Sequence, residues 1–142
     1  ATIAGRIWKP LTSGRDTLLL SGEFGLTRQG RGRSLGDFRL GGFLNLSGLD
    51  PDQLRGRHLL LGRAVFYRRL SAEAPIISMP LYVGGSAELG NVWQTMDEIS
   101  LLRLRPAASL FVGVDTPLGP FMVATGVSGG GGALYLNLGR FF

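Results

Sequence analysis

The chain has 142 residues, 44% of them hydrophobic, with no cysteine and a net charge of +5. That length suits one domain, the missing cysteine excludes disulfides and thiolate metal sites, and no apolar run approaches the ~18 residues of a membrane helix. The basic residues, all arginine except Lys9, are scattered without an aromatic stacking platform, a pattern that points away from nucleic acid.

The chain opens without Met, inside what reads as a strand over residues 2–11, as a piece of a longer parent would. Thr12-Ser-Gly-Arg-Asp16 is a turn. Residues 16–27 follow as a strand, with Leu18, Leu20, Phe24 and Leu26 on one face and Ser21, Glu23, Gly25 and Thr27 on the other. Residues 28–57 are long, Gly-rich and weakly periodic, a length that marks a functional connection. Residues 58–70 form the next strand, with Leu60, Gly62, Ala64 and Phe66 facing out and Arg63, Tyr67 and Arg69 facing in. Residues 71–77 read as a loop. Residues 78–93 alternate Leu81, Val83, Ala87 and Leu89 against Tyr82, Ser86 and Glu88, with Trp93 at the end where an interfacial aromatic belongs. Residues 94–105 are a longer loop or a short helix.

Residues 106–119 place Leu110, Val112 and Val114 opposite Ser109, Gly113 and Asp115. A tight turn at 116–120 and a strand over 121–127 come next, then the glycine run 129–132. The final stretch sets Leu134, Leu136, Leu138 and Phe142 on one parity and Tyr135, Asn137 and Gly139 on the other. A strand with one wholly apolar face and a terminal aromatic suits lipid, and a terminal strand of a soluble sandwich is the alternative.

The class is therefore all-β, with about seven strands of the length that a tilted membrane strand needs. Glycine numbers 23, about twice the usual share, and sits among alternating apolar residues. Such glycines fit strand bends or the crowded inner face of a small barrel. An odd strand count does not close a single-chain antiparallel barrel. Either a strand hides in residues 28–57 or the chain is part of a larger barrel. Arginine clusters at 28–33 and 68–69 suit loops beside anionic headgroups. Glu23, Glu88 and Asp115 are candidate lumenal acids, and Arg63, Arg69 and either Arg103 or Arg105 candidate lumenal bases.

Four segments in order resemble the bacterial surface-antigen superfamily of outer-membrane assembly proteins and two-partner secretion transporters. Phe38-Arg-Leu-Gly-Gly-Phe-Leu-Asn-Leu-Ser-Gly48 resembles its long inward-folded loop. Residues 80–93, 109–120 and 136–142 look like its last strands. Together they look most like the C-terminal barrel of patatin-like phospholipases of the autotransporter type. The resemblance spans about residues 21–142. It implies an antiparallel transmembrane β-barrel, or the C-terminal half of a sixteen-stranded one, in a Gram-negative outer membrane. The whole chain would be one barrel region with an inward-folding loop at about 28–57, carrying Phe38, Leu40, Gly41, Gly42, Ser47 and Gly48. Glu23, Arg63, Glu88 and Asp115 would line the lumen, and Leu136, Leu138 and Phe142 would form the signal read by the barrel-assembly machinery.

The implied partners are outer-membrane lipid, that machinery, and either missing N-terminal strands or a second copy. The implied role is the anchor and translocator of a separate lipase domain, with no cofactor. A pore or assembly-type barrel of the same superfamily is the alternative. One departure concerns the loop tip, where many members carry an Arg that contacts acids on the barrel wall; Ser47 stands in its place.

Gly126-Val-Ser-Gly-Gly130 matches Gly-x-Ser-x-Gly, which opens the further alternative of a soluble β-sandwich hydrolase using Ser128. A nucleophile elbow needs a strand, a sharp turn and a helix. Here small residues and another strand follow, and no Asp or Glu lies beyond Ser128. The expectation is no catalytic residue in this chain and no metal site, with the single histidine, His58, a strand-start residue near an interface.

Overall fold

The computed structural model describes residues 2–28, 37–70 and 79–139. Alternation of apolar and polar residues produces seven long strands: β1 (Thr2–Ser13), β2 (Asp16–Thr27), β5 (His58–Leu70), β6 (Leu81–Trp93), β7 (Arg105–Thr116), β8 (Gly119–Ser128) and β9 (Gly131–Leu138). Two short ones, β3 (Phe38–Leu40) and β4 (Leu54–Gly56), lie between β2 and β5. The long strands form one antiparallel sheet in the order β1-β2-β5-β6-β7-β8-β9. β3 and β4 pair with each other and add no strand to that sheet. The sheet therefore keeps its odd count. Among the described residues β1 pairs only with β2 and β9 only with β8, and the sheet is open at both edges.

The registers settle which residues share a face. Leu20, Ala64, Ala87, Ala108 and Val127 pair in turn across β2, β5, β6, β7 and β8. One step along, Ser21, Arg63, Glu88, Ala107 and Ser128 pair on the opposite face. The first is the outer face. It carries Ile3, Ile7, Leu20, Phe66, Leu89, Leu110, Val112, Leu134, Leu136 and Leu138, all exposed. Lys9 and the Arg68–Asp16 ion pair, at 2.6 Å, are the charges that interrupt it within the paired rows.

The other face is covered by residues 38–56. These residues pack against side chains of β2 and of β5 to β9, and lead into β5. Its Leu40, Leu46 and Leu49 pack with Leu59, Leu61 and Ala107 of the sheet. Its Phe43 and Leu44 pack with Val65, Phe111, Met122 and Ala124. Each such side chain contributes about 1.5–3 kcal/mol when fully buried. The apolar core thus lies between segment and sheet.

Two glycines on the inner face make room. A Cβ on Gly25 would fall on the Phe38 ring, and one on Gly126 would stand 2.6 Å from the Ser47 Cβ and 2.7 Å from the Gly48 nitrogen. A packed ring at Gly25 and close segment backbone at Gly126 leave no room for a side chain.

Two local expectations are corrected. Trp93 does end β6, but it is buried at 5% exposure instead of standing at a surface. His58 starts β5 opposite Trp93 and is likewise buried. Residues 94–105 form two 3-10 turns, Met96–Glu98 and Leu101–Arg103, which lead into β7. The loop expected at 71–77 and Phe142 lie outside the described residues.

Gly126→Ala should destabilise the protein by about 1–3 kcal/mol, because the methyl overpacks against segment backbone. Gly22→Ala, with nothing within 4 Å of the added Cβ, should be neutral or slightly stabilising. Chemical denaturation of the two variants side by side checks this.

Candidate functional site: the docked inner segment

The tip of the segment is a tight, strained loop. Leu44 and Leu46 adopt φ of 58° and 67°, Gly41 132°, Gly42 105° and Gly48 99°. The two leucines cost about 1–3 kcal/mol each in this region unless surroundings enforce it. Backbone bonds from the Gly41 nitrogen to the Asn45 oxygen (2.7 Å) and from the Asn45 nitrogen to the Gly42 oxygen (3.0 Å) close the first turn.

Glu88, on the inner face of β6 and 2% exposed, holds that loop. Its Oε2 accepts from the backbone nitrogens of Leu46 at 2.7 Å and Ser47 at 3.0 Å. Its Oε1 accepts from the Ser47 hydroxyl at 2.7 Å and the Ser86 hydroxyl at 2.6 Å. Ser47 Oγ in turn accepts from the Leu44 nitrogen at 3.0 Å. The Ser86 and Ser109 hydroxyls share a further bond of 2.6 Å. Successive N–H groups converging on one anionic oxygen form a small anion nest, and here the anion belongs to the sheet. Hydrogen bonds to a charged acceptor are about twice as strong as neutral ones.

Two further side chains clamp the loop from either side. Tyr135 on β9 donates to the Leu49 oxygen at 2.7 Å and accepts from the Gly48 nitrogen at 2.8 Å. Arg63 on β5 donates to the Leu44 oxygen at 2.6 Å and to Glu23 at 3.3 Å. Glu23 also accepts from Arg6 of β1 at 2.9 Å. A cavity of about 380 Å³ lies beside this network, lined by Arg6, Trp8, Leu44, Arg63 and Tyr67 among others.

The residues singled out in the sequence fall into three groups. Phe38, Leu40, Gly41, Gly42, Ser47 and Gly48 all lie in the inner segment, and Glu23, Arg63 and Glu88 are joined to one another or to it. Asp115 is on the inner face but apart, accepting from the Tyr82 hydroxyl at 2.7 Å. Leu136 and Leu138 stand exposed on the outer face of β9. Arg69 lies over the Tyr82 ring at 5.9 Å. Arg103 sits on the 3-10 turn before β7, and Arg105 begins β7 opposite Gly90 on the inner-face parity.

Tyr135 was missed. Its place on the polar parity of the last strand was visible, but a phenol among glycines carries no signal of what it reaches across the sheet. Ser47, expected as an inward-loop residue in the place of an Arg, binds Glu88 of the sheet through its hydroxyl and backbone N–H.

Ser128 donates to the Pro106 oxygen at 2.9 Å and is followed by a two-residue turn and β9. His58 lies three strands away and five residues along from the row containing Ser128, on the order of 17 Å in strand length alone. Among the described residues no group of His, Asp and Glu could hold a metal ion.

No protein-family model matches the chain, and neither a curated protein nor a solved structure does.

Glu88→Ala should leave the Leu46 and Ser47 donors without acceptors and cost about 3–5 kcal/mol. Hydrogen exchange at these two amides should accelerate far more than at β6 and β7 amides, with Glu88→Gln intermediate.

Proposed function

We propose that this chain is the membrane-embedded barrel region of a patatin-like phospholipase of the autotransporter type, anchoring and translocating a separately folded lipase in a Gram-negative outer membrane. The observation that carries the membrane part is the distribution of side chains between the two faces. The outer face is apolar over seven strands, with Leu110 68% and Leu134 71% exposed. The inner face holds Glu23, Arg63, Glu88 and Asp115. A soluble sheet with its core on one side turns a polar face to water; here the uncovered face is apolar, which suits lipid. Strands of 8–13 residues, the span from β9 to β5 and β6, suit a tilted crossing.

The lipase-anchor part rests on the resemblance of residues 38–48, 80–93, 109–120 and 136–142. The docking of 38–56 against the inner face is consistent with the inward loop of that superfamily. Open edges in lipid leave backbone groups unpaired. The reading therefore needs further strands beside β1 and β9, from a longer parent chain or a second copy. Assembly by the barrel machinery, with Leu136, Leu138 and Phe142 as its signal, belongs to the same reading.

In a bilayer, Leu110→Arg should destabilise by about 2–4 kcal/mol, as Arg does near the midplane on a lipid face. Asn137→Arg, on the half-buried inner side of β9, should cost much less. Ser86, an inner-face residue bound to Glu88 and Ser109, is too tightly packed to serve as that control. Folding of both variants into vesicles, followed by heat-modified gel mobility and denaturant titration, checks the pair. Equal costs would remove the face assignment, and phospholipid hydrolysis by the chain alone would favour the hydrolase reading.

A further inference from the structure

The end of the sheet where residues 38–56 enter has its own cleft. It is open, about 780 Å³, and is walled by β4, the end of β6 and the 3-10 turns before β7. Its lining includes Arg55, Arg103 and Arg105 against the single acid Glu98. Glu98 is engaged, its Oε2 accepting from the Gln94 and Thr95 nitrogens at 3.2 Å each. The described ion pairs use Arg6, Arg39, Arg63 and Arg68. Arg55, Arg103 and Arg105 take part in none of them.

The cleft is held in shape. The Asn91 amide donates to the Arg103 carbonyl at 2.8 Å, and the Gln94 amide donates to the Arg55 carbonyl at 3.0 Å. The backbones that carry two of the arginines are thereby tied to β6 and its end. Trp93, in the same lining, keeps a buried indole N–H with no acceptor among the described residues. Beside these donors stand apolar side chains turned to the surroundings. Leu102 is 97% exposed, and Met96 and Leu101 are exposed with it. Leu89 and Pro106, paired at the adjacent ends of β6 and β7, continue into the apolar outer face.

Guanidinium groups match phosphate oxygens in geometry as well as charge. An apolar rim next to them selects a ligand with a hydrocarbon part. We propose that this rim cleft binds the phosphate head of an anionic amphiphile, with Arg55, Arg103 and Arg105 meeting the phosphate and Leu102 lying along its chain. The proposal rests on the reading that the outer face meets lipid. It places the cleft at headgroup level, where basic side chains favour anionic lipid.

The test uses the full chain with Trp8→Phe, which leaves Trp93 as the reporter. It is folded in zwitterionic micelles and titrated with bromine-labelled phosphatidylglycerol or phosphatidylcholine. Trp93 quenching should reach its midpoint at a lipid fraction about fivefold lower for the anionic lipid. Replacing the three arginines together (Arg55→Gln, Arg103→Gln, Arg105→Gln) should erase that preference. Equal midpoints for the two lipids, or a preference that survives the triple replacement, would overturn the proposal.

Inorganic phosphate alone should not reproduce the saturating change in Trp93 emission. If it does, the site takes a free anion and the amphiphile is wrong. A parallel reporter separates this proposal from the reading beneath it. Leu110→Trp, in a background of Trp8→Phe and Trp93→Phe, should be quenched by either lipid. Loss of that signal would sink the lipid-facing sheet itself. An intact Leu110 signal with no preference at Trp93 would sink only the cleft.

Discussion

Glu88 is a carboxylate removed from water on the inner face of β6, and its two oxygens accept four hydrogen bonds. Three come from the Leu46 and Ser47 groups of the inner segment. A buried carboxylate without such donors would be costly to keep charged. The dependence runs both ways. The segment tip has two leucines at positive φ, a conformation that needs outside support. Carboxylate and loop each make the other's unfavourable state tenable, and the two apolar clusters between segment and sheet form around that joint.

The rest of the architecture follows from filling the inner side with chain instead of side chains alone. The Phe38 ring comes so near β2, and segment backbone so near β8, that Gly25 and Gly126 admit no Cβ. Glycine at these two positions thus has a local cause, where the segment touches the sheet. The outer face has no such covering, and its leucines, valines and phenylalanines are presented to whatever surrounds the sheet.

Most of the sheet was legible because a period of two needs no tertiary information. Strand parity alone put Leu110 and Val112 on one face and Glu23, Arg63, Glu88 and Asp115 on the other, and the registers agree. The weak periodicity of 28–57 was equally informative, since its described part, 38–56, lies beneath several strands with no single face to alternate about. The details that failed are those set by contacts distant in sequence. Trp93 has the placement of an interfacial aromatic but is buried. The grip of Tyr135 on Gly48 and Leu49 joins residues 87 and 86 apart, which no local pattern encodes. The family resemblance pointed to residues 38–48 as an inward loop, with Ser47 where many members carry an Arg. Ser47 meets an acid of the sheet all the same, because backbone N–H groups and a hydroxyl can satisfy a carboxylate as a guanidinium does.

The clamp from Tyr135 also sets a sequence of events. Residues 38–56 precede β5 to β9 in the chain, yet their bonds are distributed over β5, β6 and β9. With strands added in chain order, the loop would meet Arg63 and Glu88 before the Tyr135 hydroxyl. Its amide at Gly48 and carbonyl at Leu49 would stay open until β9 is in place. The arrival of β9 is thus felt directly in the interior of the sheet, through two bonds to the inner segment.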